Sequence, residues 1–363
     1  MSFPLYNRDC YVEIGVGGSY KELLENGFDS VEWVRLLGLD VKFDINHPVG
    51  SASSNARISI LGLSYERIYQ LTSWAGEATA FSRCILIRVY AGYGDKNIVT
   101  RVSDVDMIFQ GYIINAYPTT PPEMWLNIEA RSYFFDRYSY LTVDLSEASD
   151  IQGRETTVKD LLAALCASIG FESNLNATGD ENYKYIEGAL STTTTASVFA
   201  TLKTAADVEM CITKICDWVG LIGVKHMLPD FTTRITFRPL EYPEDFVPKP
   251  DFIISEETGM VGVPKMEYGS ITVTTLLCNT EHDLRLNFFG VRSKYALPGL
   301  LGNGGKDLRD GMVDERMQYC DFICTNVAYK GHLRGNEWYA TYIGRRFISV
   351  GDRTSGTMSS QIV

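Results

Sequence analysis

The sequence predicts an α+β fold that is mainly β, with two antiparallel β-barrel domains and a small α/β domain between them. The chain has 363 residues, of which 45% are hydrophobic and 21% charged, and a chain of this length can bury more than one core. Segments of β type fill both ends of the sequence, whereas helical periodicity is confined to the middle. We therefore expect domains at residues 1–145, 146–250 and 251–350, followed by a C-terminal tail at 351–363.

The N-terminal section consists of short segments rich in Val, Ile, Tyr and Phe, several of which alternate between apolar and polar residues. Such segments are typical of strands with one buried face. Gly-rich or polar joints separate them, which favours a closed or nearly closed antiparallel sheet. The segments are CYVEIGV, SVEWVRLLGLDVKFDIN, ARISILGL, RCILIRVYAGY, VDMIFQGYIINAYP and MWLNIEARSYFF.

One segment of this section, SYERIYQLTSWAGE, predicts a helix instead. Its Ser64 is of a residue type that caps helix N-termini. Ile68, Leu71 and Trp74 recur every three residues, which places their side chains on one face of a helix.

The middle section begins with a second helical segment, TTVKDLLAALCASIGF. A Thr precedes its first turn as an N-cap, Asp160 lies in the first turns, and Gly170 marks its end. Its apolar positions follow helical spacing and are Val158, Leu161, Leu162, Leu165 and Ile169.

A further helix is predicted downstream, ending near Gly220 and followed by the strand RITFRPL. Its apolar face consists of Val208, Cys211, Ile212, Ile215 and Val219, again at helical spacing. These elements predict a small mixed α/β unit that ends in the linker EYPEDFVPKPD, where prolines break regular structure.

The C-terminal section returns to strand patterns. Its segments are DFIISEETGMVGVP, ITVTTLLC, DLRLNFFGVRSKY, YCDFICTNVAYKGHL and EWYATYIGRRFI. Between the third and the fourth, residues 297–318 are rich in Gly and charged residues and predict an exposed, mobile loop. No fixed-period repeat is visible by identity, which leaves open that the two β-rich sections are related in structure alone.

The charge and the cysteines narrow the functional classes. The chain carries 45 acidic and 33 basic residues, a net charge of −12, which disfavours adhesion to phosphate backbones or anionic lipid. Its apolar runs fall short of the roughly 20 residues that cross a bilayer, and we expect no membrane insertion and no secretory leader. The eight cysteines lie mostly in apolar segments, which predicts reduced, buried thiols of a cytosolic protein.

The segment KGHLRGNEWYATYIG contains the most suggestive pair of polar residues, His332 and Glu337. β-type runs flank it, so we interpret it as a hairpin in which Gly331 and Gly335 supply positive φ angles. Trp338, at the start of the following run, is predicted to be a packing anchor of the barrel.

The other histidines do not extend this pair into a ligand set. His47 precedes a proline and is predicted to lie in a turn, His226 follows a helix, and His282 lies in the charged turn NTEHD. No H-x-x-x-H or H-E-x-x-H spacing joins any of them.

The remaining candidate groups favour structural roles. Cys211 and Cys216 fall on different faces of a helix, and Cys320 and Cys324 are about 13 Å apart on a strand. The glycines of VGVGGSY and LLGNGGKD lack the G-K-[ST] continuation of a phosphate loop. The carboxylate pairs are interpreted as solvated surface: Glu256 with Glu257, and Asp104 with Asp106. We therefore predict no catalytic residue, no metal site and no cofactor.

Two stretches of the chain resemble a known protein family. The first is NARISILGLSYERIYQL, followed by ILIRVYAGYGD and VDMIFQGYIINAYP. The second is TGMVGVPKMEYGSITVTTLLC, followed by DLRLNFFGV and FICTNVAYKGHLRGNEWYATYIGRR. Together they are similar to the central baseplate hub protein of contractile-tailed bacteriophages and related contractile injection systems, over residues 30–347. The turn NTEHD and the long loop 297–318 depart from the family pattern.

This resemblance implies two tail-tube-like barrels in each chain of a homotrimer, so that three chains present six similar barrels to a sixfold tube. It implies a virion protein of the tail baseplate, with the tail tube protein above, the central spike protein below, and tape measure and baseplate wedge proteins as further partners. DNA would pass through the lumen without specific binding. An acidic lumen would favour such passage, because like charge keeps the phosphate backbone from adhering.

Three alternatives stay open at this point. The chain could be another tail-tube-like or distal tail structural protein. It could be a binding module with one pocket in a barrel mouth. A tail-associated cell-wall hydrolase would need a carboxylate pair or a zinc site, and the sequence offers neither pattern.

Overall fold

A computed structural model describes most of the chain, and its fold is α+β and mainly β, as predicted. The described residues are 8–19, 22–23, 31–49, 53–77, 83–94, 105–132, 154–175, 183–195, 202–228, 230–242, 252–267, 270–277, 288–292 and 319–346. The predicted loop 297–318, the turn NTEHD and the tail 351–363 lie outside these residues.

The N-terminal β unit is a seven-stranded antiparallel sheet in the order β3-β4-β7-β6-β5-β1-β2. Its strands are β1 (Arg8–Val16), β2 (Glu32–Leu36), β3 (Asp40–Pro48), β4 (Asn55–Leu61), β5 (Ile85–Tyr93), β6 (Met107–Pro118) and β7 (Trp125–Arg131). Each corresponds to a predicted segment, although one predicted run contains both β2 and β3.

This sheet is strongly curved. Its two end strands, β2 and β3, are consecutive in the chain, and only residues 37–39 link them. That link spans at most about 14 Å, so the sheet curls around its core, to which both Leu36 and Val41 belong. No β2–β3 ladder occurs among the described residues, and the described strands form no closed barrel.

Helix α1 (Tyr65–Glu77) follows β4 as predicted. The Ser64 hydroxyl accepts a hydrogen bond from the Arg67 N–H at 3.3 Å, which is the geometry of an N-cap. Ile68 and Leu71 are buried in the core of the unit, and Trp74 packs against it. The predicted apolar face is confirmed.

The described part of the middle unit contains three helices and two small sheets. Its elements are β8 (Glu155–Thr157), α2 (Val158–Ser168), β9 (Glu172–Asn174), α3 (Tyr183–Leu190), β10 (Thr193–Thr195), α4 (Ala205–Val219), β11 (Leu221–Met227) and β12 (Thr233–Pro239). One sheet has the order β11-β12-β9, with β9 parallel to β12, and the other pairs β8 with β10.

The helix termini follow the predicted signals. Thr157 caps α2, and Thr204 and Asp207 form a capping box at the start of α4. Gly220 ends α4 in the left-handed region at φ 72°, where glycine has no steric penalty. The apolar faces of both helices lie in one core, which also takes Leu86 and Tyr112 from the N-terminal unit. The middle unit is therefore packed directly against the first sheet.

The C-terminal β unit has the order β14-β15-β18-β17-β16-β13. Its elements are β13 (Phe252–Ile254), the 3₁₀ helix η1 (Glu256–Thr258), β14 (Lys265–Glu267), β15 (Ser270–Leu276), β16 (Phe288–Arg292), β17 (Tyr319–His332) and β18 (Trp338–Arg346). All neighbours are antiparallel except β13 and β16. Its core includes Phe289, Phe322 and Tyr342.

The two β units repeat one strand order. We number five strands of each unit by their order in the chain: β3 to β7 in the N-terminal unit and β14 to β18 in the C-terminal unit. In both sheets the neighbouring strands then follow the order first, second, fifth, fourth, third. Every pairing within both sets is antiparallel. The repeat left open by the sequence is thus present in the strand topology.

The registers of the two sets agree in detail. The fourth strand carries one extra residue against the fifth in each unit, Ile114 in β6 and Thr325 in β17. Pairing of the fourth strand with the third ends two residues before this bulge in both units, at Tyr112 and Ile323. A bulge bends its strand and increases the local twist. A bulge at the same position therefore gives the fourth strand of both units the same local bend.

The two units also share one continuous sheet. Residues 326–332 of β17 pair with residues 42–48 of β3, which joins all the main strands into a 13-stranded sheet. No prediction from the sequence anticipated this pairing, and the strands β8–β11 and β14 and the helix α3 were not predicted either. The predicted domain boundaries stay a prediction. No helix in the described part of the chain is long and apolar enough to span a membrane.

Candidate functional site at the joint between the two β units

The feature that organises the molecule is the antiparallel joint between residues 326–332 of β17 and residues 42–48 of β3, which we call the internal joint. The Val49 N–H donates to the Thr325 carbonyl at 3.0 Å, and the Leu333 N–H donates to the Val41 carbonyl at 3.0 Å. These two bonds bracket the ladder. β16 pairs with β17 only before the bulge of β17. Beyond the bulge, this edge of β17 pairs with β3 instead.

Polar side chains secure the register of this joint. The Asn326 amide donates to Oδ1 of Asn46 at 2.8 Å. His47 lies in β3 and not in the predicted turn; its Nδ1 is 2.9 Å from Ser54 Oγ and its Nε2 is 2.9 Å from the Ile108 carbonyl oxygen. The turn prediction was wrong because Pro48 is the last residue of β3 and lies beyond the end of the β3–β4 ladder at Asn46, so its missing N–H interrupts no hydrogen bond of that ladder.

Gly331 is needed in the joint for space and not for its backbone angle. A Cβ at this position would collide with the ring of Phe43, the residue opposite it in β3. Neither Gly331 nor Gly335 is among the glycines with positive φ, so the predicted conformational role is wrong. At Gly335 a Cβ would instead meet the His332 ring.

Trp338 connects the two units through their cores. It begins β18 of the C-terminal unit, yet its fully buried ring lies in the core of the N-terminal unit. Phe43 packs edge-on against it with ring centroids 5.5 Å apart. The Arg8 guanidinium lies 5.7 Å from its ring centroid and donates to the Gly335 carbonyl at 3.0 Å. The predicted packing anchor therefore serves the neighbouring unit.

His332 and Glu337 do not form a pair of cooperating side chains. The His332 N–H donates to the Glu337 carbonyl at 2.8 Å, which confirms the predicted hairpin. The His332 ring is 3.2 Å from Asp40 Oδ2 across the joint, whereas the Glu337 carboxylate accepts from Lys330 at 2.7 Å on the exposed surface. Both residues thus hold the hairpin in place.

The cysteines with described side chains are Cys10, Cys84, Cys166, Cys211, Cys216 and Cys324, and all six are buried free thiols, as predicted. Burial raises the pKa of the Cys166 and Cys216 thiols to about 12. It also raises the pKa of Cys10 and Cys211. Reactive cysteines need a lowered pKa, so these groups behave as core residues.

Among the ion pairs of the described residues, the most enclosed lies in the middle unit. Glu209 of α4 accepts from Lys225 of β11 at 2.8 Å, with less than a tenth of either side chain exposed. A cavity of about 250 Å³ adjoins the pair, and Val49 next to β3 contributes to its lining. A carboxylate and an ammonium that neutralise each other explain the burial of both.

The other candidate groups are dispersed. Glu256, Glu257 and Asp106 are exposed, while Asp104 and His282 lie outside the described residues. His226 is in β11, where its Nε2 is 2.8 Å from Thr236 Oγ1. Within the described residues, no three His, Cys, Asp or Glu side chains converge as ligands. The predicted lack of catalytic, metal and cofactor residues stays a prediction.

Comparison with solved structures finds tail proteins and a component of a type VI secretion system. The 43 kDa tail protein of prophage MuSo2 from Shewanella oneidensis matches at a TM-score of 0.47 and 8% identity, over 92% of this chain and 96% of that one. A tail protein from Neisseria meningitidis gives 0.46 and 8%, with the same coverage. An Escherichia coli type VI secretion component, described as similar to the T4 tail proteins gp27 and gp5, gives 0.45 and 8%, over 85% and 74%.

Comparisons by sequence with protein-family models and with curated proteins found no match. The structural matches are of the kind that the sequence resemblance predicted, bacteriophage tail and type VI secretion proteins. The TM-scores of these three matches all lie below 0.5.

Proposed function

We propose that this protein is a structural hub subunit of a contractile tail baseplate, with three copies forming a ring around a channel. Each copy would contribute two β units, so the ring would present six similar units to a sixfold tail tube above and three chains to a central spike below. The protein would act as an assembled virion part and not as an enzyme.

The observation that carries this proposal is the repeated strand order with its shared bulge. Two copies of one topology in a single chain are what a symmetry adaptor requires, because they convert threefold chain symmetry into sixfold unit symmetry. The internal joint supports the same role. It connects the fourth strand of the C-terminal unit to the first strand of the N-terminal unit, which is a head-to-tail arrangement. Contacts of this kind build rings when the rotation between successive units closes.

The charge of the chain supports passage of DNA without binding. With a net charge of −12, the chain can neutralise few DNA phosphates. Its affinity for DNA is therefore low, because this affinity grows with the number of phosphates neutralised. The proposed ring would let the genome slide through its lumen. Tape measure and wedge proteins are the further partners that the proposed position in the baseplate requires.

The mass of the purified protein in solution tests the proposal. Light scattering coupled to size exclusion, repeated over a wide range of concentrations, should give three times the 40.6 kDa of one chain. A threefold axis in electron micrographs of the same sample should show six similar lobes around a channel. A single-chain mass at every concentration, or a ring of six chains, would contradict the hub role.

A further inference from the structure

The cavity of about 250 Å³ in the middle unit has a buried carboxylate in its wall. Glu209 of α4 is 7% exposed, and its Oε2 accepts a hydrogen bond from Lys225 at 2.8 Å. Its other carboxylate oxygen, Oε1, is buried and accepts no hydrogen bond from any residue that the structure describes. A buried ion pair is stable only when further hydrogen bonds satisfy its remaining lone pairs. The pair therefore leaves one strong acceptor beside the cavity without a donor.

We infer that this cavity binds an organic cation, an ammonium or guanidinium group on a short aliphatic stem, whose N–H groups donate to the Glu209 carboxylate. The cation is a free small molecule or the side chain of a lysine or arginine of another protein, since both present the same chemistry. The inference goes beyond the proposed function. It concerns the middle unit of a single chain, so it holds for one copy and for three.

Helix α4 lines the cavity with a row of oxygen-bearing side chains. Glu209, Thr213 and Asp217 all contribute to the wall, and they recur every four residues, which places them on one face of the helix. The Thr213 hydroxyl donates to the Glu209 carbonyl at 3.0 Å, and a hydroxyl that donates keeps its oxygen as an acceptor. The row therefore offers acceptors to a ligand that carries several donors.

The charges of the wall favour a cation. Its described residues include two carboxylates, of Glu209 and Asp217, and one ammonium, of Lys225, which leaves a surplus of one negative charge. Cys216 also lines the cavity, and burial raises the pKa of its thiol to about 12, which keeps it neutral at neutral pH. A cation neutralises the surplus charge, whereas an anion is repelled by it. A metal ion is disfavoured, because no three ligating side chains converge within the described residues.

The size of the cavity and the apolar part of its wall define the rest of the ligand. The apolar wall consists of Val49, Ile212, Leu221, Ile222 and Ile235. Contact between these side chains and an aliphatic stem is favourable because it removes apolar surface from water. A water molecule takes about 30 Å³ of liquid volume, so the cavity accommodates about eight non-hydrogen atoms. A stem of about four carbons with a terminal guanidinium has this size.

The wall extends from the protein surface to the buried carboxylate. Asp217 is exposed, whereas Cys216, Leu221 and Ile235 of the same wall are buried. Asp217 therefore lies at the mouth of the cavity, and Glu209 lies at its buried end. A carboxylate at the mouth attracts a cation from solution. The buried carboxylate binds it more strongly, because charge-assisted hydrogen bonds strengthen where water is excluded.

Calorimetric titration of the full chain with n-butylguanidinium tests the inference. This probe has the expected size and charge, and n-butylurea is its neutral control of the same shape. We expect saturable binding of n-butylguanidinium in the millimolar range, as is usual for a ligand of so few atoms. Binding of n-butylurea should be about tenfold weaker, because hydrogen bonds between charged groups are the stronger ones. Equal affinity for the two probes, or no saturable binding of n-butylguanidinium, would overturn the inference.

Variants assign the binding to the two carboxylates. Asp217→Asn should weaken binding of n-butylguanidinium about threefold, since exposed charges contribute modestly, and Glu187→Gln, which removes an equal charge from the exposed surface of α3, should leave it unchanged. Glu209→Leu with Lys225→Met replaces the whole ion pair by apolar side chains, a change that buried pairs tolerate. This double variant should lose binding and keep the native circular dichroism spectrum. Binding that survives the double variant, or equal affinity of Asp217→Asn and Glu187→Gln, would overturn the inference.

A capped tripeptide with a central arginine identifies the source of the cation. If it binds as tightly as n-butylguanidinium, the cavity admits a cationic side chain of another polypeptide. If only n-butylguanidinium binds, the cavity is a site for a free small cation, and both results support the inference. The number of copies in solution is measured separately. A single-chain mass with cation binding supports this inference and contradicts the hub proposal, and a three-chain mass without cation binding does the reverse.

Discussion

The two β units share a strand order but fill it with different side chains. In the N-terminal unit Ile60 lies opposite Leu126, and the corresponding pair in the C-terminal unit is Thr275 opposite Ala340. In return, Gly111 of the N-terminal unit corresponds to the buried Phe322. Large residues in one unit thus take the place of small residues in the other.

The shared topology therefore depends on strand alternation and on the bulge more than on particular residues. Cores tolerate many simultaneous exchanges when their total volume is retained. Among the described residues, the N-terminal unit also has the larger core, because β1, β2 and α1 contribute to it, whereas the described C-terminal core draws on fewer elements. Trp338 belongs to β18 of the C-terminal unit but lies in the larger core, and so links the smaller unit to that core.

The largest effect is expected from Trp338→Ala, which removes a fully buried ring from the N-terminal core. Substitutions of this type cost about 3–5 kcal/mol. Denaturant titration should show a single transition at a much lower midpoint, with Trp338→Phe intermediate. Trp218→Ala is the control, because Trp218 is 60% exposed on α4. A similar loss of stability in Trp338→Ala and Trp218→Ala would contradict the packing role assigned to Trp338.

Equivalent positions in the two units provide the next comparison. Ile58 and Val273 are buried at corresponding positions of β4 and β15. Ile58→Ala should cost about 2–5 kcal/mol, and Val273→Ala about 0.8 kcal/mol less because it deletes one carbon fewer. Since one sheet runs through both units, each variant should shift the same unfolding transition. Two separable transitions, each sensitive to one variant, would show that the units unfold independently.

The close approach at the internal joint predicts a smaller loss. Gly331→Ala places a methyl group against the Phe43 ring, and overpacking of this kind costs about 1–3 kcal/mol. Adding Phe43→Leu should recover part of the loss. Gly188→Ala on α3, where a Cβ meets nothing within 4 Å, should be neutral or stabilising by about 0.5–1 kcal/mol. Equal effects of the two glycine substitutions would contradict the packing assigned to the joint.

The smallest effect is expected at the hairpin surface. Glu337→Gln removes an exposed ion pair with Lys330, and exposed pairs contribute little because water and salt screen them. The thermal midpoint should remain unchanged within error. His332→Ala should lower the thermal midpoint, because the buried Asp40 carboxylate would lose the contact with the His332 ring. The opposite ranking would point to a role for Glu337 beyond the hairpin.

Much of the secondary structure could be predicted from local patterns. Period-two alternation identified the strands of both β units, and caps with helical spacing identified α1, α2 and α4. The strands β8–β11 and β14 and the helix α3 were missed because each carries few periodic residues. Positions such as Thr275 and Ile60, which correspond in structure, differ in chemistry, so identity could not reveal the repeat.

The internal joint could not be predicted because its partners are far apart in the chain. Asn326 and Asn46 are 280 positions apart, and neither residue type signals strand pairing by itself. The role of Gly331 was misjudged for a related reason. Its neighbour Phe43 approaches only after the two units join, so the requirement for a small residue arises from the tertiary contact.

A reconstruction of the assembled ring by electron cryomicroscopy, at a resolution that separates strands, tests the central claim most directly. We expect three chains around one axis, with six similar β units encircling a channel and Ala328 facing Asn46 at the internal joint of each chain. A map in which copies meet through a twofold contact, or in which only one β unit of each chain borders the channel, would contradict this arrangement.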